Sequence, residues 1–322
     1  MNRFARAVLL ALGLIAAAPS SVAQQYPTKP IRFIVPFPPG GSTDFMSRLI
    51  TRKMMDDLGW QIVVDNRPGA GGTIGVAAAA NAPADGYTLV MGETANLAVG
   101  PSLYSKLPYD PVKDFAPITL VGPPGPNVIL VGAKSTFATF ADLISAARSK
   151  PRELTFASSG NGTTGHLAGE LLQRATKTEL VHVPYKGAAP ATLDVIAGRA
   201  QFVFLSLESG MPFITSGQAR PLAVTSTTRT KLLPNVSTVA ESGYPGFETT
   251  VWFGVLAPKG TPAPVVQRLS KEIGRIVQLP EIRAKIGDGS NFTTGPDEFA
   301  RIIKADFAKW GKVIKETGVK LD

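Results

Sequence analysis

The sequence predicts an α/β fold in two lobes, and three observations carry that reading. Strand-like and helix-like patterns alternate along the whole chain, which favours layered architecture with largely parallel sheets. A unit of apolar strand, Gly-rich loop and amphipathic helix occurs twice, more than a hundred residues apart. Two crossings, near Val121 and near Thr250, would carry the chain from one lobe to the other and back. Residues 24–121 with 250–322 would then form a discontinuous first lobe, and residues 122–249 the second.

The first repeat is the strand Ile31 to Phe37, the loop Pro38 to Asp44 and a helix from Phe45. Gln61 to Asn66 reads as a strand, followed by the turn RPGAGGTIG, a helix of small residues from Gly75 and the strand Tyr87 to Gly92. Thr94 to Asp114 is rich in Pro and Tyr and holds a short helix. Pro117 to Gly132 reads as two strands broken by a Pro/Gly hinge. A helix over Thr139 to Ser149 carries a capping box with Asp142 in the place of the usual Glu or Gln.

The second repeat is the strand Leu154 to Ser159, the loop Gly160 to Gly165 and a helix from His166. After it come the strand Leu180 to Tyr185, a helix over Ala189 to Ala197 and the strand Phe202 to Ser206. A short helix over Met211 to Ser216 and the strand Pro221 to Ser226 follow. A loop-rich stretch leads to the strand Val251 to Pro258. Two helices, Ala263 to Gln278 and Pro296 to Thr317, close the chain with apolar residues at helical spacing, which marks them as packing elements.

Each repeated loop sets free backbone N–H groups and Ser/Thr hydroxyls at a helix N-terminus. There the dipole favours an anion. Both loops lie at strand carboxyl ends, where open α/β sheets place their ligands. Two such cradles predict a cleft that grips one small anion between the lobes.

The chain's start reads as a secretory signal, residues 1–23. Arg3 and Arg6 precede an apolar run from Ala7 to Ala18, and Ser21-Val22-Ala23 forms a small-residue cleavage site before Gln24. The run is too short to span a bilayer. The chain has no Cys, which excludes disulfides and thiolate metal sites in an exported protein. Its formal net charge is +9 with no run of five basic residues. A scattered basic surface of this kind argues against nucleic acid and suits attraction of small carboxylates.

Other chemistries fit poorly. GNGTTG matches a dinucleotide loop, but the next strand ends in Tyr185 and Lys186 where an acid should meet the ribose. RPGAGGTIG has no G-K-[ST] after it and is a tight turn. There are two His residues and no motif of a serine, zinc or β-lactamase-type hydrolase. His182 alternates with apolar neighbours and reads as structural. His166, in the first turn of the second cradle helix, fits either a ligand contact or a packing role. Asp44 fits a first-turn charge or cap, or else it accepts from a ligand amine or orders the loop. Two His without nearby carboxylates make no metal site, and no cofactor is expected.

The segments FPPGGSTD, NRPGAGG, SLYSKLPYDPVKDFAPI, SSGNGTTGHLAGEL, VPYKGAAPA, IAGRAQFVF, LAVTST and LPNVSTVAESGYPGF occur in order. Together they resemble the solute receptors of tripartite tricarboxylate transporters, the Bug or TctC-like proteins, over essentially the whole chain after the signal segment. The resemblance implies a two-lobed periplasmic-binding-protein fold of the Venus-flytrap type II. It implies a monomeric, non-enzymatic receptor that closes on a small carboxylate and delivers it to a membrane permease. A sensor as further partner is compatible with it. Carried over, it points to Phe37, Gly41, Ser42, Thr43 and Asp44 in the first cradle and to Ser158, Gly160, Thr163, Thr164 and His166 in the second. Thr94 and Asn96 would line one wall, and Tyr185 and Lys186 another.

One position departs from the family pattern. Relatives usually carry Asp after the strand that here reads FVFLSLES; this chain has Leu205, then Ser206, and Glu208 where Pro is common. A wall without that carboxylate suits an anion that lacks an amine. The competing classes are an exported hydrolase, a ligand-sensing receptor for a small organic acid, and a surface adhesin that would bind no small molecule.

Overall fold

The computed structural model describes residues 26–104, 106–287 and 292–318. The expected signal segment and its cleavage site lie outside them. The described residues begin with β1 (Ile31–Val35), α1 (Ser42–Leu58), β2 (Ile62–Asn66), α2 (Thr73–Ala80), β3 (Thr88–Glu93), α3 (Gly100–Leu103) and β4 (Phe115–Leu120). They continue with β5 (Gly125–Gly132), α4 (Phe140–Ser149), β6 (Thr155–Ser158), α5 (Thr164–Thr176) and β7 (Val181–Pro184). Next are α6 (Ala188–Ile196), β8 (Phe202–Ser206), α7 (Leu207–Thr215), β9 (Ala219–Val224) and β10 (Thr250–Val251). They end with β11 (Phe253–Pro258), α8 (Ala263–Val277), α9 (Pro280–Ile286) and α10 (Pro296–Thr317).

These strands form two mixed sheets. The first has the order β2-β1-β3-β11-β4; the second runs β10-β5-β8-β6-β7, with β9 also paired to β5. In each sheet one strand opposes the rest. β11 is antiparallel to β3 and β4, and β5 is antiparallel to β8, β9 and β10. The reversal follows from the connectivity. β4 delivers the chain to the carboxyl edge of the first sheet, so β5 enters the second sheet at its cleft edge and must run away from it. β11 returns under the same constraint.

Helices cover both faces of each sheet. Phe33 and Val35 of β1 meet Met46 and Ile50 of α1 and Leu269 and Ile273 of α8 on one face. Ile34 points to the other, among Val76 of α2 and Phe299, Ile303 and Trp310 of α10. This is the period-two alternation of a strand covered on both sides. In the second sheet Phe156, Phe202 and Phe204 pack on Leu143 of α4 and Leu172 of α5, while Val203 and Leu205 pack on Ala191 and Val195 of α6. The Thr139 capping box is complete: Thr139 Oγ1 accepts from the Asp142 N–H, and the Asp142 carboxylate accepts from the Thr139 N–H.

Four sequence-based expectations need correction. α7 starts at Leu207, not Met211: Pro212, which favours a first helical turn, lies inside the helix. The strand expected over Val251 to Pro258 divides at Trp252 into β10 and β11, which belong to different sheets. α9 is an additional C-terminal helix, too short to show a clear periodicity. The stretch after β3 winds into a π turn over Ala95–Val99 before α3.

Candidate functional site

β1 ends at Val35, and the loop after it enters α1 through Gly41. Gly41 is extended and gives the helix no side-chain cap. The Ser42 N–H donates instead to Ser209 Oγ at 2.8 Å, from the start of α7 on the other sheet. Thr43 Oγ1 donates to Glu93 Oε2 at 2.8 Å. Asp44 turns away from the cleft. Its carboxylate accepts from Arg48 Nε at 2.9 Å, Asn66 Nδ2 at 2.9 Å and the Gly40 N–H at 3.1 Å. Burial alone would raise its pKa; the hydrogen bonds from Arg48, Asn66 and Gly40 outweigh burial and hold it below the ordinary range. Asp44 therefore orders the loop from behind.

The second cradle is built in the same way. β6 ends at Ser158, and α5 begins after Thr163, its N-cap, whose Oγ1 accepts from the His166 N–H and donates to the Gly160 carbonyl at 2.7 Å. Gly160 has φ of +133°, a region closed to most side chains. Gly165 lets the helix approach β8 so closely that a Cβ would lie 2.6 Å from the Phe204 carbonyl oxygen. Ser158 Oγ bonds both the N–H and the carbonyl of Gly160, and it lies 2.7 Å from His182 Nε2. His166 Nδ1 accepts from the Gly162 N–H at 3.3 Å, and its ring stacks on His182 with centroids 4.1 Å apart. Burial lowers His166 to about 4; burial, with a smaller effect from His166, lowers His182 to about 3. The His166 ring packs on His182 and does not line the cavity between the cradles.

The two cradles open onto one cavity of about 50 Å³ between the sheets. Phe37, Gly41, Ser42 and Thr43 line it from the first cradle, and Thr163 and Thr164 from the second. Leu205 and Ser206 meet them from the end of β8. That volume holds only a few water-sized groups, as expected of nearly shut jaws. A larger groove of about 480 Å³ adjoins it, with Phe37, Pro38, Ser159 and Gly187 common to both. Gly160, Tyr185 and Lys186 line that groove. Thr94 and Asn96, expected on a wall, sit behind it. The π turn points them inward, where Thr94 Oγ1 accepts from the Trp252 N–H and Asn96 Oδ1 from the Glu93 N–H.

Four polar wall residues escaped the sequence reading: Glu93, Asn127, Ser159 and Ser209. Glu93 had a signal, as a charge directly after the apolar strand Tyr87 to Gly92. Asn127 stands at the amino end of β5, just before its apolar run. Ser209 had none. Glu93 is 6% exposed. Burial, with the nearby Glu208 charge, raises its carboxyl to about 7, and burial raises Glu208 likewise to about 7. Among the described residues no group of three His, Cys, Asp or Glu is placed to hold a metal.

The buried pair of Ser158 and His182 has the spacing of a nucleophile and its base, but neither residue lines the cavity. Ser158 is fully enclosed, and a ring held near pKa 3 is a poor base at neutral pH. The cavity instead gathers donors: two helix N-termini and the hydroxyls of Ser42, Thr43, Thr163, Thr164, Ser206 and Ser209. Such a set of donors suits an anion.

Residues 46–319 match the family model described as "Tripartite tricarboxylate transporter family receptor". The chain belongs to this receptor family. It is 42% identical over 97% of its length to a protein from the tcbD-tcbE intergenic region of Pseudomonas sp. strain P51, covering 94% of that protein. It is 39% identical over 95% of its length to BugT of Bordetella pertussis, again covering 94% of that protein. Among solved structures, Rpa4515 of R. palustris, determined with adipate, superposes with a TM-score of 0.86 at 37% identity, covering 91% of this chain and 98% of that one. MatC of Rhodopseudomonas palustris, with bound malate, gives 0.82 at 28% identity, covering 90% and 100%. The two-lobed periplasmic-binding-protein fold expected from the sequence is thus the fold of this receptor family. Its members of known structure are solute-binding receptors and not enzymes. Among the described residues no helix is long and apolar enough to cross a membrane.

Proposed function

We propose that this chain is a periplasmic receptor that closes two lobes on a small dicarboxylate and hands it to the membrane permease of a tripartite tricarboxylate transporter. The lobes join at two crossings, one near Val121 and one just after β10, because Thr250 and Val251 pair with β5 of the second sheet. One observation carries the reading: two helix N-termini from different sheets face a single cavity rimmed with hydroxyls. A receptor that works near 1 μM needs about 8 kcal/mol. Charge-assisted hydrogen bonds contribute about 1.5–3 kcal/mol each, so two carboxylates with two or three donors apiece reach that after ordering losses.

Phe37, Phe204, Leu205 and Val251 give the cavity an apolar side. That side favours a guest with an aliphatic or aromatic middle and no amine. Adipate in Rpa4515 and malate in MatC fit the same class. Native mass spectrometry of protein purified without added acid, followed by a thermal-shift panel of mono-, di- and tricarboxylates, amino acids and sugars, tests this. Dicarboxylates should give the largest stabilisation. A response to sugars or amines with none to acids would reject it.

A further inference from the structure

We propose that Glu93 is a ligand-binding residue that meets the guest carboxylate as a neutral acid, so that capture of the anion takes up a proton from solvent. The inference rests on the receptor reading above and adds to it a residue and a proton. Glu93 closes β3 at the cleft and lines the cavity between the two cradles. Its Oε2 accepts from Thr43 Oγ1. Glu208, at the start of α7 on the other sheet, opposes it electrostatically. Glu208 Oε2 is shielded from solvent and has no hydrogen-bond partner among the described residues. Two buried carboxyl groups thus lie close enough to repel, Glu93 on the cavity wall and Glu208 outside its lining.

Among the described residues, the surrounding elements bring no cation to Glu93. β11 offers Phe253 opposite Glu93, and the π turn offers Asn96, whose Oδ1 takes the Glu93 N–H. On α1 the Asp44 carboxylate is tied to Arg48 and Asn66, so both that acid and that cation are engaged elsewhere. On α5 His166 turns to Gly162 and stacks on His182, with Glu170 beyond its Nε2. Lys186 lines the adjoining groove and not the cavity.

A guest carboxylate would be the third negative charge in this space. Charges in a low-dielectric enclosure repel strongly, and the burial that raises both carboxyls to about 7 already makes a proton easy to hold there. Protonation removes one charge and turns an acceptor into an O–H donor. The resulting O–H···O⁻ bond is among the stronger hydrogen bonds available. The proton arrives from solvent as the guest enters and returns when the lobes open; no covalent bond of the guest changes.

The test is calorimetry of adipate binding between about pH 6.5 and 9, where adipate itself stays ionised, in two buffers of different ionisation enthalpy. The wild-type Kd should rise up to about tenfold per pH unit above neutrality, with a buffer-dependent heat that reports up to about one proton. E93Q carries an amide donor that does not titrate, so its profile should lose most of its slope and its buffer-dependent heat, keeping only what Glu208 contributes. E208Q should keep the pH dependence but move its midpoint to lower pH, because the repulsion on Glu93 is gone. A flat wild-type profile, or an unaltered slope in E93Q, overturns the proton and leaves the receptor reading standing. Absence of binding by adipate and by every other acid of the panel at any pH overturns both.

Discussion

The hydroxyl of Ser206, at the end of β8, donates to the hydroxyl of Ser42, at the start of α1, across 2.9 Å. The two residues hang on different sheets, so this bond and the Ser42 N–H to Ser209 Oγ bond clasp the lobes together. A neutral hydrogen bond contributes about 0.5–1.5 kcal/mol net. Ser206→Ala should therefore raise the open fraction of the guest-free receptor about two- to tenfold. Small-angle scattering or a fluorophore pair across the cleft reads this. An unchanged distance distribution would show that the clasp does not hold the lobes.

The second cradle depends on the shape of one loop. Gly160 stands at φ of +133°, and a Cβ there would lie 3.0 Å from the Tyr185 carbonyl oxygen. Gly160→Ala should weaken dicarboxylate binding more than tenfold. Thr163→Val removes the cap on the His166 N–H and the bond to the Gly160 carbonyl. It should cost about 1 kcal/mol of stability and weaken binding as well. Titration calorimetry and thermal melts check both; full affinity in both variants would remove this loop from the site.

The fold and both cradles were legible in the sequence because they are local. A strand, a Gly-rich loop and a helix start are contiguous, and Thr139 with Asp142 announces its own capping box. The site beyond the cradles was less legible. Ser209 meets Ser42 only because α7 starts at Leu207, four residues before the expected Met211. Thr94 and Asn96 are placed by a π turn that no periodicity encodes. His166 sits where a ligand contact could be, but its neighbour is His182, from a different strand. Each of these depends on a tertiary contact between distant segments.

Two buried sets of titrating groups should give the stability opposite pH slopes. Glu93 and Glu208 hold their protons to about pH 7, above the ordinary carboxylate value. The folded state binds those protons more tightly than the unfolded chain. Their contribution is complete below about pH 4.5 and is lost as pH rises through about 7. His166 and His182 are lowered to about 4 and about 3. Their contribution is complete above about pH 6.5 and is lost as pH falls through those values. In thermal melts, the E93Q/E208Q variant should gain stability relative to wild type as pH rises from about 5 to 8. A difference independent of pH would show that these carboxyls titrate normally.

Leu205 is expected to set what the cleft tolerates in the middle of its guest. It is buried, and it meets the cavity beside Phe204 and Val251. An Asp there would add a carboxylate to an enclosure that already contains Glu93. A plain dicarboxylate would then face like charge with no donor in return, whereas an ammonium group on the guest would find a partner. Leu205→Asp should lower affinity for adipate more than tenfold and raise that for acidic amino acids relative to it. The decisive measurement is the ratio of the two affinities in wild type and variant, taken at the same pH. If the ratio stays constant while both affinities fall, Leu205 supports the fold of the wall and does not select the guest.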